Sequence, residues 1–314
     1  MQISKQSMGK NTTAKPCVAT IGTFDGVHRG HQFVVQQVVR QARQRGLEAV
    51  VLTFSNHPLQ VLRENFQPQM LTLADEKERL LQQTGVDKVV LMDFTTELAE
   101  MTARDFMQTI LKEQLNAQVL LMGYDNHFGH DQLSFEDCQQ CGQALNIEVI
   151  GCEEYHIGES ISSTTIRQAL LQGDVETAHQ LLGYPYSLQG EVVQGFQNGR
   201  KLGYPTANLQ VNSAKLIPEN GAYLVKCQLS TVNCQLSTYH GMLNVGTRPT
   251  LHNGQQRSIE VHLFDFDGDL YGQTLTIELL RHLRKEQEFD TLKTLQQQLA
   301  ADEAQCRMFL NSSK

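Results

Sequence analysis

The chain has 314 residues, 40% of them apolar, no tryptophan and a formal net charge of −8. That length suits two domains, each able to bury a core. The negative balance argues against nucleic acid or an anionic membrane as the default partner, and no run approaches the roughly 20 apolar residues of a membrane span.

Residues 1–16 are polar, lack the apolar centre of a signal peptide and read as a flexible tail. Seven cysteines, an odd number in a long chain, fit reduced thiols and a cytoplasmic setting. From there to residue 184, short apolar runs alternate with helical spacing. Cys17–Ile21, Glu48–Phe54, Lys88–Met92, Gln118–Met122 and Ile147–Ile150 read as buried strands. Gln32–Arg45, Asp75–Thr84, Ala103–Leu115 and Phe135–Leu145 read as helices between them. This alternation predicts an α/β unit with a parallel sheet covered on both faces. Ligands of such sheets bind outside the carboxyl ends of the strands.

Three loops fall at that edge. Gly22-Thr-Phe-Asp-Gly-Val-His-Arg-Gly-His31 follows the first strand and opens a helix. Glycines allow close backbone approach, and the helix start offers N–H groups and a partial positive charge to phosphate. His28 and His31 share one face of the first turn. They could be a metal pair, but no third ligand of fitting spacing accompanies them. Thr53–Pro58 follows the second strand, and Gly123–Gly129 the fourth. Read singly, each is an ordinary turn; read together they converge on one ligand. Ile161–Arg167 gathers hydroxyls at a helix start, which caps the helix and also suits a triphosphate. Short helices are predicted over Thr164–Leu171 and Val175–Leu182. Cys138 and Cys141 share a helix face, and packing is favoured over a zinc site because no second pair has fitting spacing.

From residue 185 to 314 the pattern becomes β-rich. Tyr186–Val193, Ala222–Leu229, Cys234–Val245, Ser258–Phe264 and Leu275–Leu280 predict strands of a small antiparallel barrel. Leu283–Leu310 predicts a closing helix docked on it through Leu292, Leu295, Leu299 and Met308. The repeat Cys227-Gln-Leu-Ser-Thr, Cys234-Gln-Leu-Ser-Thr is read as a lengthened hairpin without a role. Asn198–Gly203 is a glycine-bounded loop with two cations, Arg200 and Lys201, fit to wrap phosphates. Thr206 and Asn208 face one side of an extended segment and offer oxygens suited to Mg²⁺. Glu260, near them, could take a proton from an attacking hydroxyl. The acids at 265, 267 and 269 lack the final glutamate of a calcium loop and read as a turn.

These motifs resemble the bacterial bifunctional riboflavin kinase/FAD synthetase family over about residues 18–308. The first half, 17–184, looks like its Rossmann-like nucleotidyltransferase (FMN adenylyltransferase) module, on Gly22–His31, Thr53–Pro58, Gly123–Gly129 and Ile161–Arg167. The second, 185–314, looks like its riboflavin kinase module, on Gly199–Gly203, Pro205–Asn208, Gly246–Thr250, Glu260, Asp269–Gly272 and Arg284–Phe289. The resemblance implies ATP and Mg²⁺ acting on riboflavin and then FMN, with FAD as the product. His28, His31 and Arg167 would serve catalysis of adenylyl transfer, and Ser162, Ser163 and Thr164 the leaving pyrophosphate. Gly22, Phe24, Asp25, Gly30, Asn56 and Asp125 would lie near nucleotide or flavin. Gly199, Arg200, Lys201 and Gly203 would hold ATP. Thr206 and Asn208 would hold Mg²⁺, Glu260 would be the kinase base, and Arg284 would close the flavin side. One loop departs from the pattern: where the family carries an arginine and further basic or asparagine residues, this chain has His127 and His130-Asp131-Gln132. The alternatives are a kinase with a weakened or lost adenylyltransferase site, a single-activity adenylyltransferase with an accessory barrel, and a flavin-binding regulator.

Overall fold

The computed structural model describes residues 14–67, 69–123, 129–153, 161–195, 199, 202–230, 236–249 and 255–312. Asp125, Arg200 and Lys201 lie outside them. By contact the chain divides into two compact units, Met1–Ser163 and Thr164–Lys314. The division falls one residue into the short helix α7 (Ser163–Leu171) and ahead of α8 (Val175–Leu182), whereas the sequence places the change of pattern after both. Both pack within the second unit: Glu219 N–H donates to Leu170 O, and Arg281 pairs with Glu176 at 3.5 Å.

The first unit is a five-stranded parallel sheet of order β3-β2-β1-β4-β5. Its strands are β1 (Cys17–Ile21), β2 (Glu48–Phe54), β3 (Lys88–Met92), β4 (Ala117–Met122) and β5 (Glu148–Gly151). Residues 14–16, read as tail, are already attached, since Glu48 N–H donates to Pro16 O. Helix α1 (Arg29–Arg45) covers one face, where Val18 meets Val38 and Ala42. Cys17, Ala19 and Ile21 point to the other face and pack with Met107, Leu111 and Cys138. Burial on both sides is why the strands read as unbroken apolar runs.

Helix α3 (Ala74–Gln82) lies near its predicted place, while α2 (Pro58–Leu62) and α4 (Thr96–Ala99) are too short to carry a period. The predicted helix 103–115 is α5 (Ala103–Phe106) running into a π-helical segment, Met107–Gln114, closed by Leu115 N–H to Ile110 O. In α6 (Phe135–Leu145), Cys138 is fully buried and Cys141 packs beside the same core. Burial pushes the Cys138 thiol up to about 11, as for a packing residue.

The second unit is a closed antiparallel barrel. Its strands are β6 (Ser187–Val193), β7 (Ala207–Val211), β8 (Gly221–Ser230), β9 (Leu236–Pro249), β10 (Gln255–Leu263) and β11 (Thr274–Lys285). They close in the order β10-β7-β6-β11-β8-β9. The repeat straddles the β8–β9 hairpin, where Leu229 pairs with Ser237; Cys234 lies outside the described residues.

The predicted helix over 283–310 needs correction. β11 continues to Lys285, laddered on Gly221, and the helix α9 spans Leu292–Ser312. Thr291 starts it, its hydroxyl accepting from Thr294 N–H at 3.1 Å. The helix is docked, but not through the two ends expected: Leu292 and Met308 are each 69% exposed. Instead Cys306 is fully buried against Leu224, Met242 and Phe264.

Candidate active sites

In the first unit the strand order reverses at β1. The crevice outside the carboxyl ends of β1 and β4 is therefore the switch point where such sheets bind ligands. The loop that opens there is strained. Phe24 (φ +46°) and Val27 (φ +36°) join Gly26 (φ +82°) in the left-handed region. Each non-glycine residue there costs about 1–3 kcal/mol and persists only when its surroundings over-determine it.

Those surroundings are a girdle of hydrogen bonds. The Asp25 carboxylate, 2% exposed, accepts from Leu71 N–H (3.1 Å), Thr72 N–H (2.9 Å) and the Thr72 hydroxyl (3.2 Å). Gly26 N–H donates to Thr72 Oγ1, the Gln32 amide to Val27 O, and the Thr53 hydroxyl to Thr23 O. The Ser163 hydroxyl donates to Asp25 O at 2.9 Å. Lys77 Nζ donates to Thr23 O (2.9 Å) and Phe54 O (2.6 Å).

The loop delivers the two histidines. His28 is the N-cap of α1, its Nδ1 accepting from His31 N–H at 3.3 Å. Its ring stacks on that of His31, centroids 3.6 Å apart and 18° from parallel. Gly30 permits this: a Cβ there would lie 3.3 Å from the His28 ring. Gly22 likewise sits close under Phe24, where a Cβ would meet the ring at 3.1 Å.

His31 Nδ1 is buried and has no hydrogen-bond partner among the described residues. A buried polar atom left open in this way marks a place for a ligand group. Burial first, then the neighbouring His28 and Lys77, hold the His31 pKa well below its ordinary 6.5. The imidazole is neutral at pH 7 and acts as a dipole. The unfolded chain takes up this proton near pH 6.5 and the folded protein only at lower pH. His31 should therefore withdraw stability as pH falls below about 6.5, at up to about 1.4 kcal/mol per pH unit. Denaturation midpoints between pH 7.5 and 5 will show a steeper decline in wild type than in His31→Gln.

Two residues the sequence places beside nucleotide or flavin have structural partners here. Asp25 latches the loop, and Asn56 exchanges hydrogen bonds with the Phe94 backbone at 2.9 and 2.8 Å. Ser162 and Ser163 close the first unit, and Thr164 and Arg167 follow on α7 in the second. In the divergent loop, Asp131 accepts from Ala103 N–H at 2.8 Å, so its carboxylate caps α5. Sequence reading missed Thr72 and Lys77. Both look like ordinary polar residues around α3, and only the fold carries them under the loop.

The second site lies on the barrel. Glu260 on β10 stands opposite Asn208 on β7 and Asn244 on β9. The Thr206 hydroxyl reaches Glu260 Oε2 at 3.4 Å. A Cβ at Gly195 would collide with the Asn208 amide, and one at Gly199 with Tyr204 O. The backbone here is thus shaped to approach closely. Gly203 takes φ +82°, which suits a residue without a side chain.

Hydroxyl, amide and carboxylate oxygens together form a hard donor set fit for Mg²⁺. Among the described residues no group of three or more His, Cys, Asp or Glu could hold a metal, so such an ion would lean on ligand oxygens. A cleft of about 340 Å³ adjoins the set, lined by Thr206, Val261, Phe266, Asp269 and Tyr271 among others. Asp265, read as part of a turn, has φ +56° and pairs with Arg307 at 2.9 Å.

Arg284, expected on the flavin side, forks onto Asp302 of α9 at 3.0 and 2.9 Å, where Asp302 is 3% exposed. In this structure it is the bolt that holds the terminal helix to the barrel.

Residues 10–165 match the family model described as FAD synthetase, and residues 182–310 the model described as riboflavin kinase. A bifunctional riboflavin kinase/FMN adenylyltransferase of Escherichia coli (strain K12) is 36% identical over 300 residues, covering 95% of this chain and 94% of the relative. One from Pseudomonas fluorescens is 37% identical, covering 93% and 92%. A solved structure from Streptococcus pneumoniae, described as a macrolide-efflux protein, superposes with a TM-score of 0.87 at 34% identity over 98% of each chain. No helix among the described residues is long and apolar enough to cross a membrane.

Proposed function

This chain belongs to the bifunctional riboflavin kinase/FMN adenylyltransferase family, and on that premise we propose how its residues divide the two reactions. The observation that carries the reading is that one chain holds both a strained, histidine-bearing loop after β1 and a Thr206–Asn208–Glu260 oxygen cluster on the barrel.

On the barrel, riboflavin presents its ribityl 5′-hydroxyl to the γ-phosphate of ATP. Glu260 accepts the hydroxyl proton as the new O–P bond forms and the bond from the γ-phosphorus to the bridging oxygen breaks, releasing ADP. Thr206 and Asn208 would hold Mg²⁺, which when bound would supply positive charge to the phosphate oxygens. The loop from Gly199 to Gly203, with Arg200 and Lys201, wraps the phosphates.

On the sheet, an oxygen of the FMN phosphate attacks the α-phosphorus of ATP and pyrophosphate leaves. His28 and His31 steady the reacting phosphate, Gly22 and Gly30 let the backbone come close, and Phe24 shapes the seat. Ser162, Ser163, Thr164 and Arg167 receive the pyrophosphate, and Asp125 is assigned to binding nucleotide or flavin. Positioning and charge stabilisation suffice, with no covalent intermediate. Asp25 and Asn56 act by holding the loops.

Incubation with riboflavin, ATP and Mg²⁺ tests the scheme. The expected course is FMN first, then FAD and pyrophosphate. FMN accumulating alone would favour a weakened adenylyltransferase, and absence of FMN would overturn the kinase assignment.

A further inference from the structure

Lys77 is the least expected residue of the first unit. It lies on α3 between the exposed Asp75 and Arg79, beside the buried Glu76, and is 1% exposed. An ammonium is costly to bury, and a methionine would fill the same volume without a charge. Here the charge has a geometric task. Its Nζ bridges Thr23 O and Phe54 O, the chain just beyond β1 and at the end of β2. These loops carry the histidine pair and Asn56.

The charged and titratable groups around it are few. Asp25 on the same loop supports the ammonium, and His31 and His28 lie on the first turn of α1. Glu76, its neighbour on α3, accepts from Leu73 N–H. The strained segment Phe24–Val27 follows directly on Thr23, so the tie acts on the root of the loop.

We propose that Lys77 is a positioning residue of the adenylyl-transfer site: a fixed cation that sets the spacing of the β1 and β2 loops and holds positive charge beneath the phosphate seat. The proposal rests on assigning that site to adenylyl transfer. Burial lowers the Lys77 pKa to about 8, so the tie is charged at neutral pH and is released within a testable range.

The test uses the full chain as wild type, Lys77→Met and Lys77→Arg. FMN-to-FAD conversion is followed between pH 6.5 and 9.5, with riboflavin phosphorylation measured on the same samples. Lys77→Met should lose at least about tenfold in kcat/KM for FAD formation, with phosphorylation within about twofold of wild type. Wild-type FAD formation should decline above about pH 8. In Lys77→Arg that decline should move upward, because the guanidinium stays charged. A Lys77→Met rate within twofold of wild type, or an alkaline decline shared unchanged by wild type and Lys77→Arg, overturns the proposal. If Lys77→Met fails to fold, the wild-type and Lys77→Arg profiles decide alone. A wild type that makes FMN but no FAD removes the site assignment, and this proposal with it.

Discussion

Glu260→Gln will stop riboflavin phosphorylation while conversion of supplied FMN to FAD continues. The amide keeps the size of the side chain, and its oxygen still accepts from the Thr206 hydroxyl, which now lies 3.4 Å from Oε2. The barrel ladder through Asn208 and Asn244 is backbone and is untouched. What disappears is the ability to take a proton. General-base catalysis contributes about 10²–10⁴ in rate, so about 3–5 kcal/mol of barrier should return. Measuring the two reactions separately, with riboflavin and then with FMN, checks this. Loss of both would sink the two-site scheme, and retention of phosphorylation would remove Glu260 as base.

Asp25→Ala should have the largest effect on the first unit. The carboxylate is buried and accepts three hydrogen bonds, two from backbone N–H groups. Its removal leaves Leu71 N–H and Thr72 N–H buried without their acceptor, at about 1–3 kcal/mol each. A total of about 2–6 kcal/mol is a large share of a typical domain's 5–15 kcal/mol. The left-handed conformations of Phe24 and Val27 also lose their restraint, and FAD formation should fall with them. Thermal melts together with both activities check the outcome. A variant that melts like wild type and still makes FAD would show that the latch is dispensable.

The sheet was legible because parallel strands covered on both faces read as apolar runs bounded by turns. Gly22–His31 was legible because glycines and histidines after such a run have few other uses. Lys77 was not, because Asp75-Glu-Lys-Glu-Arg79 looks like a solvated helix face. Nothing local says that two of these charges, Glu76 and Lys77, turn inward. The same limit hid the end of β11: residues 283–310 are mostly good helix formers, and only pairing with Gly221 and Ala222 makes Arg284 and Lys285 strand. Arg284 then meets Asp302, a partner that no motif announces. Asp25 and Asn56 hold backbone in this structure, and sequence cannot tell a side chain that meets a ligand from one that holds the backbone presenting it.

The bond from Ser163 to Asp25 spans 138 positions and has a consequence for the order in which this protein is made. The hydrogen bonds that hold the first loop to Thr53, Lys77 and Ser163 join residues between 23 and 163. These long-range closures keep the loop open while the ribosome is still adding β4 and β5, and N-terminal units fold first during synthesis. Every barrel strand comes later, from Ser187 onward. The loop and these partners are therefore all synthesised before the first barrel strand, so the part of the chain assigned to using FMN is made ahead of the part assigned to making it.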